Sequence, residues 1–99
     1  MREMWEIEQE IREFVYGYFL EECDVEKEDL SDSSSIFDDL DGDSLMMIEL
    51  VELLKKKYGL TVKLQSIGKY LLKHPVKTVG EVIATCCELY VKQDAILDE

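Results

Sequence analysis

The 99-residue, 11.5 kDa chain has room for one small domain with one modest core. Its 23 acidic and 11 basic residues give a net charge of −12 and a pI near 4.4, which speaks against direct binding to nucleic acid. A 46% apolar content argues against wholesale disorder, and no apolar run approaches the roughly 18 residues of a membrane span.

The first segment is expected to be a helix from about Met4 to Glu22. Ile7, Ile11, Phe14, Val15 and Tyr18 recur at helical spacing, and Trp5 and Phe19 extend the stripe. Residues 23–43 are rich in Asp, Ser and Glu and read as a long loop. Val25, Leu30, Ile36, Phe37 and Leu40 are spaced along it as anchors to the core. A second helix starts at Asp43 or Ser44 and runs to about Tyr58. Asp41, Asp43 and Ser44 suit a helix N-terminus by capping and by complementing its dipole. Met47, Leu50, Val51, Leu54 and Tyr58 form its inner face. Lys55, Lys56 and Lys57 fill its last turn, and Gly59 ends it.

A short third helix is expected over residues 66–73, with Ile67, Tyr70 and Leu71 as its apolar side and Pro75 preventing continuation. Thr78-Val79-Gly80-Glu81 reads as a capping box opening a fourth helix to about Lys92. Its inner face is Val79, Val82, Ile83, Cys86 and Tyr90. No segment alternates with a two-residue period. The expectation is an all-α, four-helix bundle with a long first loop, a single domain over residues 1–93 and a frayed tail over 94–99.

Charge is segregated along the chain. Residues 1–54 hold 18 acids and 3 bases, whereas residues 55–77 hold 7 lysines and no acid. Two surfaces of opposite sign would steer different partners; a compensated solvated surface is the plainer reading. The acidic start of the chain lacks the apolar segment of a secretory signal, so a cytoplasmic protein is expected. Cys23, Cys86 and Cys87 form no CxxC pair and suggest neither a disulfide framework nor a zinc site. His74, the sole histidine, reads as a surface residue at a helix end.

The densest signal is Asp38-Asp39-Leu40-Asp41-Gly42-Asp43-Ser44-Leu45. As a calcium loop starting at Asp39 it fails, because the sixth position is Ser44 instead of glycine and the twelfth is Leu50 instead of glutamate. As a hydrolase nucleophile in a Gly-Asp-Ser-Leu segment, Ser44 lacks a base: no aspartate stands three residues before His74. Two readings stay open from the residues themselves. Ser44 is either a plain N-cap or a modification site at a helix start, where free N–H groups and the dipole favour a phosphate ester.

In its wider context the segment resembles the acyl carrier protein family. Leu40-Asp41-Gly42-Asp43-Ser44-Leu45 is similar to that family's Leu-Gly-x-Asp-Ser-Leu, between a long acidic loop and Met47-Ile48-Glu49-Leu50-Val51. The likeness runs over roughly residues 5–92. It implies a carrier and not an enzyme. Ser44 would bear a covalent 4′-phosphopantetheine, donated by coenzyme A through a magnesium-dependent phosphopantetheinyl transferase. The arm's thiol would then hold an acyl group as a thioester. Asp43 and Leu45 would complete the recognised motif.

The resemblance further implies that Leu45, Ile48 and Glu49 meet partner enzymes: the transferase, an acyl-loading enzyme, and an acyltransferase or synthase; Met46, Lys55 and Lys56 are expected to join that surface. Leu45 and Ile48 are free for this because the core face is already filled by Met47, Leu50, Leu54 and Tyr58. Family members can shelter the acyl chain between helices two, three and four. The candidate lining is Phe37, Leu54, Leu60, Val62, Leu71 and Ile83, each equally explained as core. The family is mostly monomeric, so a monomer is expected.

Four features depart from the family's pattern. Glycine is shifted from position 41 to Gly42. Met46 stands where an acid is usual and adds an apolar patch beside Ser44. Lys55 and Lys56 occupy an end of helix two that is usually acidic, and would repel some family partners. The segment from Tyr58 to Val79 is longer than usual and basic, so helix three should be longer or shifted. A carrier for fatty acid or specialised lipid and polyketide biosynthesis is expected, and the lysine block and Met46 point to a specialised one, for lipid, polyketide or peptide assembly, over the housekeeping fatty-acid carrier. The competing class is an acidic helical adaptor without a prosthetic group, in which Ser44 only caps a helix.

Overall fold

The structure, a computed structural model, describes residues 3–40, 42 and 44–92, with Ser44 described by its backbone. Four α-helices occupy these residues: α1 Met4–Glu22, α2 Ser44–Tyr58, α3 Leu64–Lys73 and α4 Val79–Lys92. A single 3-10 turn, Lys27–Asp29, interrupts the first loop. Among the described residues there is no strand beyond one isolated bridge, between Ser35 and Thr78. The all-α, four-helix expectation holds. The expected tail, 94–99, lies outside the described residues.

The core follows the helical periodicity. α1 contributes Ile7, Ile11, Val15, Tyr18 and Phe19, and packs chiefly on α4. α2 contributes Met47, Leu50 and Leu54, and α4 contributes Val79, Val82, Ile83 and Cys86. Leu89, outside the expected inner face, is fully buried, while Tyr90 is half-buried with its ring edge-on to Tyr58 at 5.1 Å. Trp5 does not extend the stripe of α1; it is exposed. Each large apolar side chain fully buried here contributes about 1.5–3 kcal/mol.

Two helix ends behave as their residues require. Gly59 takes φ +64°, and the Leu60 N–H reaches back to the Lys55 carbonyl at 3.0 Å, closing α2 in a left-handed cap. At the start of α4, the Glu81 N–H donates to Thr78 Oγ1 at 3.2 Å, and the Thr78 N–H donates to the Glu81 carboxylate at 3.2 Å. The capping box is therefore formed in both directions.

α3 begins at Leu64, two residues before the expected start. Lys63 stands at its N-cap without a side-chain cap bond. Packing outweighs capping here. Val62 and Ile67 form a second small cluster with Val51 of α2 and Leu89 of α4, which draws Ser66 inside the helix and buries it.

The long loop is pinned to the bundle, as its spaced apolar residues imply. Leu30, Ile36 and Leu40 are buried, whereas Phe37 is exposed. Backbone bonds finish the attachment. The Ile36 N–H donates to the Lys77 carbonyl at 2.9 Å, while the Val79 and Gly80 N–H groups donate to the Ser34 and Asp32 carbonyls at 3.1 and 2.8 Å. The loop thus caps two of the first N–H groups of α4. A Cβ on Gly80 would stand a tight 3.1 Å from the Asp32 carbonyl oxygen, so a larger residue would press on the loop.

Candidate functional site

The candidate site is the junction of the long loop with α2. Ser44 is the first residue of α2. The loop reaches it in a fixed shape. The amide N–H groups of Asp39 and Leu40 both donate to the Ser35 carbonyl, at 2.9 and 3.1 Å, and the Ser35 N–H donates to Asp39 Oδ2 at 2.7 Å. Leu40 is then buried, and the Gly42 N–H donates to the Ile36 carbonyl at 2.8 Å. A Cβ on Gly42 would lie 2.8 Å from Ile36 Cγ2 and 3.1 Å from Met46 Sδ. The shifted glycine and the unusual methionine are therefore two sides of one close contact. Asp41 and Asp43, both singled out in the sequence, lie outside the described residues, as does the Ser44 side chain.

The first turns of α2 sort into two faces. Met47 and Leu50 point inward, at 3% and 0% exposure, whereas Leu45 and Ile48 are 71% and 44% exposed. The expected division into buried and exposed positions holds at these four residues. Met46 differs from expectation. It is half-buried against the core and borders a small cavity beside Cys23, Val25 and Leu40. Its unbranched side chain fills the space that Gly42 leaves, so it offers little open apolar patch beside Ser44.

Glu49 is exposed on the same outer side, but it is also held from below. Tyr18 of α1, itself buried, donates its hydroxyl to Glu49 Oε1 at 3.2 Å and lies 3.3 Å from the Met46 carbonyl. Burial first, and then the neighbouring Glu49 carboxylate, push the Tyr18 hydroxyl well above its ordinary pKa. Tyr18 was legible as a core position only. A buried tyrosine needs a partner for its hydroxyl, and that need was the available signal.

Lys55 is half-buried and Lys56 exposed. They lie eleven and twelve residues beyond Ser44, or about 17 Å along the helix axis. The structure thus places them at the opposite end of α2 from Ser44, with Leu45, Met46, Ile48 and Glu49 clustered near it.

A groove of about 500 Å³ opens between the loop, α2 and α3. Phe37, Met47, Ile48, Leu71, Leu72 and Val76 supply its apolar lining, with Asp38 and Lys77 among its polar residues. Of the six candidate lining residues, Phe37 and Leu71 border this groove. Leu54 and Val62 are fully buried, Ile83 is nearly so, and Leu60 is half-buried against both clusters. The open apolar groove therefore lies at the surface beside α2, and the other four residues serve the core.

Burial keeps two of the three thiols from ionising readily. Cys86 is completely buried, which pushes its thiol up to about 12, and burial also raises the half-buried Cys87. His74 is exposed and lies over the Tyr70 ring at 4.6 Å.

The model of the phosphopantetheine attachment site family matches residues 13–85. The chain is also 56% identical over 97 residues to a protein of Clostridium acetobutylicum described as an acyl carrier protein homolog. That alignment covers 97% of this chain and 94% of the relative.

Proposed function

The chain belongs to the acyl carrier protein family, and from that premise we propose that Ser44 is the residue on which it bears its phosphopantetheine. The protein is a carrier with a covalently bound 4′-phosphopantetheine and has no catalytic task of its own. When bound, the group supplies a thiol at the end of a flexible arm, which holds an acyl chain as a thioester. The observation that carries the assignment to Ser44 is its place. It opens α2, at the end of a loop fixed by the Gly42–Ile36 bond, beside outward-facing Leu45 and Ile48.

Modification follows from that position. A phosphopantetheinyl transferase takes up the exposed start of α2, reading Asp43, Leu45 and Ile48. The Ser44 hydroxyl oxygen attacks the β-phosphorus of coenzyme A. A new P–O ester bond forms, the P–O–P link breaks, and adenosine 3′,5′-bisphosphate leaves with the bonding electrons. The serine proton passes to a base of the transferase, so the carrier needs no histidine near Ser44. The free N–H groups and positive end of the α2 dipole then favour the phosphodiester charge.

The loaded carrier presents Leu45, Ile48 and Glu49, with Lys55 and Lys56 farther along α2, to a loading enzyme and then to an acyltransferase or synthase. The groove between Phe37, Ile48 and Leu71 begins one helical turn beyond Ser44 and suits an apolar chain held partly out of water. The lysines at the end of α2 support a specialised carrier with a dedicated partner. Residues 1–93 act as a single carrier domain and work as a monomer in the cytoplasm. Among the described residues no helix is long and apolar enough to cross a membrane.

The test is the intact mass after incubation with coenzyme A, magnesium and a broad-specificity transferase. The native chain is expected to gain one phosphopantetheine and Ser44→Ala none. No gain on the native chain, with a known carrier modified in the same tube, overturns the assignment and leaves Ser44 as a helix cap. Support of a full fatty-acid elongation cycle at a housekeeping carrier's efficiency would overturn the specialised reading.

A further inference from the structure

The surface most at odds with the acidity of the chain is the outer side of α3. Leu72 is 85% exposed, the highest value for a large apolar residue among those described. Lys69 stands three positions before it and Lys73 one after, so both flank it on the helix surface. Lys69, Lys73 and Lys77 are exposed, and among the described residues no carboxylate pairs with them. Residues 55–77 supply no acid of their own.

On its other side Leu72 borders the apolar groove, which Phe37 and Ile48 also line. Across the groove the loop carries exposed Asp38. The groove therefore has lysines beside it on α3 and an acid on the loop. At physiological ionic strength charges are screened over about 8 Å, so the acids elsewhere do not cancel the lysines at contact.

Resting on the carrier reading above, we propose that the outer face of α3 docks an enzyme partner through an acidic patch, with Leu72 seated in an apolar socket of that partner. The complementary partner surface is bipolar. It is acidic opposite Lys69 and Lys73, and basic opposite Asp38. A uniformly basic surface would meet the lysines with like charge. An anionic membrane would be drawn to the lysines, but it would bring Asp38 against a surface of its own sign, which favours protein over lipid. The lysine pole sets the orientation in which the start of α2 meets the partner.

The test uses the isotopically labelled, phosphopantetheine-loaded chain and three probes. These are a synthetic amphipathic helix of Glu and Leu, the same peptide with Lys for Glu, and vesicles containing phosphatidylglycerol. The acidic peptide is expected to shift the amide signals around Lys69–Lys73 and to bind more weakly as salt rises. Its Kd is expected to weaken by about tenfold or more in Lys69→Glu/Lys73→Glu and in Leu72→Ser. All three side chains are exposed, so melting curves should stay close to native and separate lost docking from lost fold. Unchanged binding in these variants, peptide shifts elsewhere on the chain, or tighter α3-dependent binding to vesicles would each overturn the proposal. Loading of the same samples separates the two readings: failure to take up phosphopantetheine counts against the Ser44 assignment, while loaded protein without α3 binding counts against this surface alone.

Discussion

The hydroxyl of Tyr18 donates to the carboxylate of Glu49 at 3.2 Å, tying the buried face of α1 to the exposed side of α2. The same hydroxyl lies 3.3 Å from the Met46 carbonyl, within the turns that follow Ser44. Tyr18→Phe keeps the ring and removes both bonds. It is expected to cost about 1 kcal/mol, read from the urea midpoint. The raised pKa of Tyr18 gives the native protein a further signature. The folded state keeps the hydroxyl proton at a pH where the unfolded chain has begun to release it. The stabilisation from Tyr18 is therefore fully present below the ordinary tyrosine value and is lost as pH rises beyond it. In alkaline titrations the native chain should lose stability faster than Tyr18→Phe. Parallel curves would show that this hydroxyl is not held as described.

A second tie fixes the loop to α1. Arg12 Nη1 lies 2.6 Å from Asp32 Oδ1, and the Tyr16 hydroxyl donates to that same oxygen at 2.5 Å. The hydrogen bond from Arg12, then that from Tyr16, hold the Asp32 carboxyl below its ordinary range. Its contribution is therefore present above the ordinary aspartate value and lost as pH falls through the depressed one. Both side chains are more than 40% exposed, so the pair is worth roughly 0.2–1 kcal/mol and weakens with salt. Asp32→Asn should reduce stability by that amount at neutral pH and by nothing at low pH, measured by thermal melts across the range. The Asp32 backbone bond to Gly80 should persist, so a larger loss would mean that the loop itself had come away.

The split of α2 into two faces predicts opposite outcomes for two leucines. Leu50→Ala, at a fully buried position, should cost about 2–5 kcal/mol. Leu45→Ser, at 71% exposure, should change stability by less than about 0.5 kcal/mol. It should nevertheless slow phosphopantetheine transfer, chiefly through a higher KM for the carrier. Unchanged transfer kinetics would remove Leu45 from the contact surface.

The helices were legible where periodicity and end signals agreed. α1 shows its buried stripe at Ile7, Ile11, Val15 and Tyr18, α2 is closed by Gly59, and α4 opens on the Thr78–Glu81 box. The start of α3 was not, because Lys63 carries no capping signal and the helix is set by Val62 and Ile67 packing on Val51 and Leu89. The anchorage of the loop was half legible. Leu30, Ile36 and Leu40 announced it, but the bonds from Ile36, Val79 and Gly80 are backbone to backbone and have no side-chain signature. At the site, the exposure of Leu45 and Ile48 could be read by subtraction from the core face. The inward turn of Met46 could not, because it depends on the missing side chain at Gly42.

That contact carries the last prediction. Gly42 sits where a Cβ would meet Ile36 Cγ2 at 2.8 Å, and Ile36 is itself fully buried and bonded to Lys77. Gly42→Ala must therefore displace Ile36, Met46 or the loop. Strain of this kind costs about 1–3 kcal/mol. Because the Gly42 N–H holds the loop two residues before Ser44, the variant should also be modified more slowly than its stability loss explains. Pairing it with Met46→Ala relieves the contact at 3.1 Å to Sδ but leaves the one to Ile36, so the double variant should recover only part of the loss. Full recovery would place the strain at Met46 alone. Native stability and native modification in the single variant would mean that the loop approaches α2 by a different path.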